Sequence, residues 1–215
     1  MKMYGNWRSA AAFRVRIALN LKGIAYEETF IDLDAGDQLK PEFLAINPQG
    51  AVPALFDGEG PPLTQSLAIL DYLEETHPGT PLLPADPRER ARARSLAQVV
   101  ACDTHPLYVP RVRTYVMETY GVPRETMLGF VRHWFGRGLA TLETRLTQEP
   151  GTGRFAQGDF ISHADLCLVS LWIGTGIFGV ETQAYPTVRR IAEECLTLDA
   201  IAKAHPLRQP GAPKP

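Results

Sequence analysis

Residues 9–23, Ser9-Ala10-Ala11-Ala12-Phe13-Arg14-Val15-Arg16-Ile17-Ala18-Leu19-Asn20-Leu21-Lys22-Gly23, decide how the N-terminal third is read. A hydroxyl residue opens the stretch as an N-cap, good helix formers carry it, and Gly23 stands where helices end in left-handed backbone. Upstream, residues 2–4 form a short β-prone run. Downstream, Tyr26, Thr29, Ile31 and Leu33 alternate enough for a strand over residues 26–33. A strand, a helix and a second strand in this spacing predict a parallel pair joined by the helix.

Working outward, the apolar residues 51–56 predict a third strand. The turn at residues 57–62 then leads to Leu63-Thr64, as in a hairpin. Ser66 is expected to cap a helix reaching Thr76, with Ile69 and Leu73 at helical spacing and His77-Pro78-Gly79 ending it. The order is βαβ followed by ββα. After about Pro84 the strand signals fade, and residues 88–101 read as a helix whose alternating arginines form a solvated face. Ser162-His163-Ala164-Asp165 has the form of a capping box leading into a buried apolar helix over residues 166–180. The expected fold class is therefore α/β plus all-α. One domain covers residues 1–80, a proline-punctuated linker 81–87, and an all-helical domain 88–215. The Pro/Gly-rich residues 206–215 are expected to lie extended on the surface.

Composition removes several classes of function. The 22 basic and 24 acidic residues leave a net charge of −2, so no general positive field attracts nucleic acid or an anionic membrane. The longest uncharged stretch, residues 166–180, is shorter than the roughly 18–20 residues that cross a bilayer. The first residues include Arg8 and lack the apolar run of an export signal, and three cysteines with no CxxC pair fit a reducing, cytoplasmic setting. The five histidines include no HExxH, so no metal site is expected, and Gly58-x-Gly60 lacks the third glycine of a dinucleotide fingerprint.

Several positions could still carry chemistry. Ser9 has two readings: a plain N-cap, or a hydroxyl that joins a helix N-terminus in stabilising a thiolate or carboxylate. Gln65-Ser66 offers an amide and a helix start suited to a carboxylate, and capping alone accounts for Ser66 equally well. His105 is a lone histidine beside Pro106, a pattern more often structural than catalytic. About 5–6% of X–Pro bonds are cis, so spacing alone does not make Val52-Pro53 one of them.

The run from Trp7 to Leu19 resembles the signature of zeta-class glutathione transferases, the family that includes maleylacetoacetate and maleylpyruvate isomerases. Similar too are Asn47-Pro48-Gln49 with Val52-Pro53, residues 65–78, Leu82-Leu83-Pro84, Gly158-Asp159, residues 164–169, Tyr185-Pro186 and residues 205–210. The resemblance implies a thioredoxin-like N-terminal domain, an all-helical C-terminal domain, a homodimer, and glutathione as cofactor. Carried over by position, Ser9 donates to the glutathione sulfur with Ala10 and Ala11 beside it, and Val52 before a cis Pro53 pairs with the cysteinyl backbone. Gln65 and Ser66 hold the γ-glutamyl carboxylate, and Gln38 and His105 are further glutathione contacts. Arg8 and Arg111 are the cations for substrate carboxylates.

The implied reaction is cis–trans isomerisation of a maleyl diketo acid by reversible thiolate addition. Three departures bear on it. The family's usual Ser-Ser-Cys-Ser reads Ser9-Ala10-Ala11-Ala12 here. Tyr108-Val109-Pro110 precedes Arg111 where relatives carry Asn-Asn-Leu, with Pro110 positioned to kink the helix. Ser170-Leu171-Trp172 and residues 174–178 replace polar residues and an arginine. The alternatives are conjugation or dehalogenation of other small electrophiles, or a non-catalytic glutathione-binding protein. A disulfide reductase lacks its CxxC.

Overall fold

The computed structural model describes residues 1–213. It divides into two compact units, one formed by Met1–Leu82 with the chain from Thr197 onward, the other by Leu83–Leu196. The first contains a four-stranded sheet in the order β2-β1-β3-β4, with β1 at Lys2–Gly5, β2 at Glu27–Phe30, β3 at Ala54–Phe56 and β4 at Leu63–Thr64. β1 runs parallel to β2, with Lys2 opposite Glu27, and antiparallel to β3. The β3–β4 hairpin pairs Leu55 with Leu63.

The two faces of β1 follow its alternation. Tyr4 meets the rings of Phe56 and, from α2 (Pro41–Leu44), Phe43 edge-on, while Met3 on the opposite face is fully buried. α1 (Ala10–Leu21) packs against α3 (Ser66–Thr76). Its burial is nearly all-round, and it includes two arginines, Arg14 and Arg16, at 1% and 0% exposure. Arg16 is accommodated because Glu28 on β2 takes its Nε at 2.7 Å and its Nη2 at 2.6 Å. A buried charge needs such a partner. A Cβ on Gly5 would collide with that Glu28 carboxylate, which is why β1 ends in glycine.

The sequence reading differs from this unit at three places. Gln65, not Ser66, is the N-cap of α3, and Ser66 is the helix's first residue. The C-terminal segment does not belong wholly with the helices before it: α10 (Asp199–Ala204) packs on α1, where Asn20 Nδ2 donates to Ala200 O at 2.9 Å. The tail is also not simply extended. Residues Pro206–Arg208 form a 3-10 turn, Gln209 Nε2 donates to Lys203 O and His205 O, and Gly211 lies close against the Phe30 ring. Lys214 and Pro215 of that stretch lie outside the described residues.

The second unit is helical: α4 (Pro87–Gln98), a π-helical stretch at Val99–Thr104, α5 (His105–Tyr108), α6 (Pro110–Tyr120), α7 (Arg124–Gln148), α8 (His163–Phe178) and α9 (Pro186–Leu196). Pro110 does more than kink a helix. Val109 turns extended, at ψ 151°, and separates α5 from α6. α8 is the apolar centre expected from residues 166–180, buried from His163 through Leu171. Its start is held by Asp165, whose carboxylate accepts from Ser162 N at 2.8 Å, Ser162 Oγ at 2.9 Å and Ala156 N at 2.7 Å. α7 closes onto α8 where Gly174 leaves room for Phe135. A Cβ there would lie 2.8 Å from that ring.

Candidate active site

Ser9 stands at the junction of β1 and α1, and the chain around it is tied down from both sides. Asn6 Nδ2 donates to Ile31 O at 2.9 Å, Asn6 Oδ1 accepts from Arg8 N, and Arg16 Nη2 reaches Asn6 O at 2.8 Å. Ser9 is the N-cap of α1, and its Oγ accepts from Ala12 N at 3.2 Å. That bond uses a lone pair and leaves the hydroxyl proton for another acceptor. The capping reading and the anion reading of Ser9 are therefore compatible. Ala10 and Ala11 form the first turn beside it, half-buried, where backbone amides have no intrahelical acceptor.

The Val52-Pro53 peptide is cis, as the resemblance implied, and immediately precedes β3. The turn before it is organised by Asn47, which donates from Nδ2 to Ala51 O at 2.7 Å and accepts Gln49 N–H at 3.1 Å. Gln49 Oε1 in turn accepts from Gln65 Nε2 at 2.8 Å. Gln65 adopts φ 67° and ψ 113°, and among the described residues it is the non-glycine residue with positive φ. Such backbone costs on the order of 1–3 kcal/mol and persists where side-chain placement is worth more than the strain. Ser66 is buried at 7% exposure, and Arg14 Nη1 donates to its Oγ at 3.2 Å.

Gln38 lies on a short 3-10 turn, Asp37–Leu39, and its Oε1 is buried without a hydrogen-bond partner in this structure. A buried acceptor left this way costs about 1–3 kcal/mol unless a ligand or water completes it. Arg8 forms a largely exposed ion pair with Asp34, a partner sequence reading had missed. No local pattern marks Asp34, because the contact depends on where the loop after β2 falls. His105 and Arg111 lie in the second unit. His105 opens α5 and meets the Tyr108 ring at 5.1 Å, and Arg111 is exposed on α6. Burial, with the nearby Asp165 charge, pushes the Cys195 thiol well above the ordinary thiol range, so it is no nucleophile. No group of acidic, histidine or cysteine side chains among the described residues could hold a metal.

This fold, with a capped helix start after β1 and a cis-proline turn before the adjacent strand β3, is that of a glutathione transferase, and its relatives place it more finely. The family model for the glutathione S-transferase N-terminal domain matches residues 1–75. The maleylacetoacetate isomerase of Rhizobium meliloti is 45% identical over 206 residues, covering 96% of each chain. The maleylpyruvate isomerase of a Ralstonia species is 40% identical, covering 98% of this chain and 99% of its own. A maleylacetoacetate isomerase from Methylobacterium extorquens AM1, crystallised with malonate and glutathione, is 80% identical over the full length of both chains with a TM-score of 0.98. The chain belongs to the maleylacetoacetate isomerase family of zeta-class glutathione transferases.

Proposed function

We propose that this protein is a glutathione-dependent cis–trans isomerase of a maleyl diketo acid, maleylacetoacetate or maleylpyruvate. The observation that carries the reading is the Ser9 hydroxyl, held at the α1 N-terminus with its proton uncommitted, in a chain 80% identical to a relative crystallised with glutathione and a dicarboxylate. The polar groups suit a γ-glutamyl tripeptide thiol: a hydroxyl and first-turn amides and an amide and hydroxyl at Gln65-Ser66 that donate, and the buried Gln38 Oε1 that accepts. Bound glutathione supplies the thiolate that adds reversibly to the substrate double bond and frees rotation about it.

In this reading Ser9 donates to the sulfur and, with the α1 dipole, lowers its pKa. Each unit of lowering from about 8.5 gives up to tenfold more thiolate at neutral pH. Ala10 and Ala11 line that position with backbone. Val52 presents its backbone to the cysteinyl unit, with Pro53 fixing the turn. Gln65 and Ser66 hold the γ-glutamyl carboxylate, and Gln38 and His105 make further contacts. Arg8 is the cation for a substrate carboxylate, exchanging Asp34 for it, and Arg111 is proposed for the second. A glutathione-binding domain followed by a helical domain, a homodimer and a cytoplasmic location belong to the same proposal. In support, Cys102, Cys167 and Cys195 form no disulfide, and no helix among the described residues is long and apolar enough to cross a membrane.

Turnover of both maleyl diketo acids, followed by loss of their enol absorbance, is expected only with glutathione present. Glutathione binding by calorimetry without turnover of either acid would overturn the isomerase reading. A second expectation concerns Gln65. Gln65→Gly should relieve the positive-φ strain and stabilise the fold by about 1 kcal/mol, while raising KM for glutathione several-fold through loss of the side-chain amide. Urea denaturation and KM measured on the same preparation check it, and a simultaneous loss of stability would show that the φ 67° conformation carries no strain.

A further inference from the structure

Arg14 is a fully buried guanidinium on α1 whose Nη1 lies 3.2 Å from the Oγ of Ser66, 52 residues away at the start of α3. Guanidinium is donor-only and stays charged at any working pH, so in this bond Ser66 Oγ can only accept. A hydroxyl that accepts on one side has its single proton left for the other. Its backbone N–H lies in the first turn of α3, among the amides that have no intrahelical acceptor. A carboxylate at this point meets an O–H and an N–H, both donating.

We infer that Arg14 is a positioning residue that fixes the polarity of the Ser66 hydroxyl, so that the α3 start donates to a carboxylate and disfavours a ligand amine or amide N–H in its place. Ser9 is set by the same device, with the Ala12 N–H in the role of the donor. At Ser66 the donor is a charged side chain in a buried setting, where such a bond is stronger and the wrong hydroxyl orientation costs more. The inference rests on the proposal that Ser66 holds the γ-glutamyl carboxylate, and it predicts selectivity between thiols, not catalysis as such.

The test compares glutathione with cysteinylglycine, which keeps the thiol and the glycyl end and lacks the γ-glutamyl carboxylate, as thiol cofactors for the full-length enzyme. The readout is the ratio of kcat/KM for the two. Arg14→Gln places an amide whose oxygen can take the Ser66 proton, and the ratio is expected to fall about tenfold or more. Arg14→Lys remains donor-only and is expected to hold the ratio within about threefold of wild type. In the Ser66→Ala background, Arg14→Gln should leave the ratio unchanged, because the group it acts through is gone. A purely structural Arg14 would lower both thiols together and keep the ratio, which overturns the inference. If Arg14→Gln does not fold, Arg14→Lys decides alone, and a tenfold fall in its ratio is equally fatal. A wild-type enzyme with no preference for glutathione over cysteinylglycine would instead remove the γ-glutamyl assignment of Ser66 itself.

Discussion

Ser9→Ala is expected to lower kcat by about a hundredfold, the usual cost of deleting one donor to a developing or resting anion, with glutathione affinity nearly intact. The apparent pKa of the bound thiol should return toward about 8.5, because only the helix terminus remains to favour the thiolate. The same hydroxyl caps α1 by accepting from Ala12 N, so Ser9→Ala also forfeits about 1 kcal/mol of stability. Ser9→Gly separates the two effects, since glycine caps nearly as well as serine and has no hydroxyl to give. It should be close to wild type in stability and as impaired as Ser9→Ala in turnover. Ultraviolet titration of thiolate absorbance is the deciding measurement, and an unchanged titration would remove Ser9 from the mechanism.

Asp165→Ala is expected to destabilise the protein by about 3 kcal/mol, a fall of about 10 °C in Tm for a chain of this size. The carboxylate is fully buried and gathers three donors, from Ser162 N, Ser162 Oγ and Ala156 N, which alanine would leave without an acceptor. Burial raises its pKa to about 6, and these hydrogen bonds offset only part of that rise. The sign of the pH dependence follows. Between about pH 4 and pH 6 the folded state holds a proton that the unfolded state has released. This group's contribution is therefore full below about pH 4 and is lost as pH rises through about 6. Asp165→Asn removes that dependence, retains one oxygen for three donors, and should fall between wild type and alanine in stability. Urea midpoints measured from pH 4 to pH 7 test both statements. A wild-type profile parallel to that of Asp165→Asn would show that Asp165 ionises as readily folded as unfolded.

How legible each residue was depended on the range of the interaction that places it. Ser9 as a cap, Gly23 as a helix end and the Ser162/Asp165 box were readable because each is settled within one helical turn. The order of strands and helices was readable one window at a time, though β2 covers only Glu27–Phe30 of the alternating residues 26–33 and β3 only Ala54–Phe56 of the apolar residues 51–56, pairing only where a neighbouring strand lies alongside. Ser66 was misread as a cap because composition cannot show that Gln65 takes positive φ and the cap position itself.

By itself the sequence determined the elements and their order, the buried helix α8, the two chemically suited positions at helix starts and, through its resemblance along nearly the full chain, the family. Periodicity and capping are local energies, and they survive being read one window at a time. Only the tertiary structure decided that Arg14 reaches Ser66, that Arg16 is paired by Glu28, that Arg8 faces Asp34, and that the segment from Thr197 returns to α1. Those contacts join residues 12 to 180 positions apart. They depend on the burial of charge and on packing, which exist only once the chain has folded back on itself.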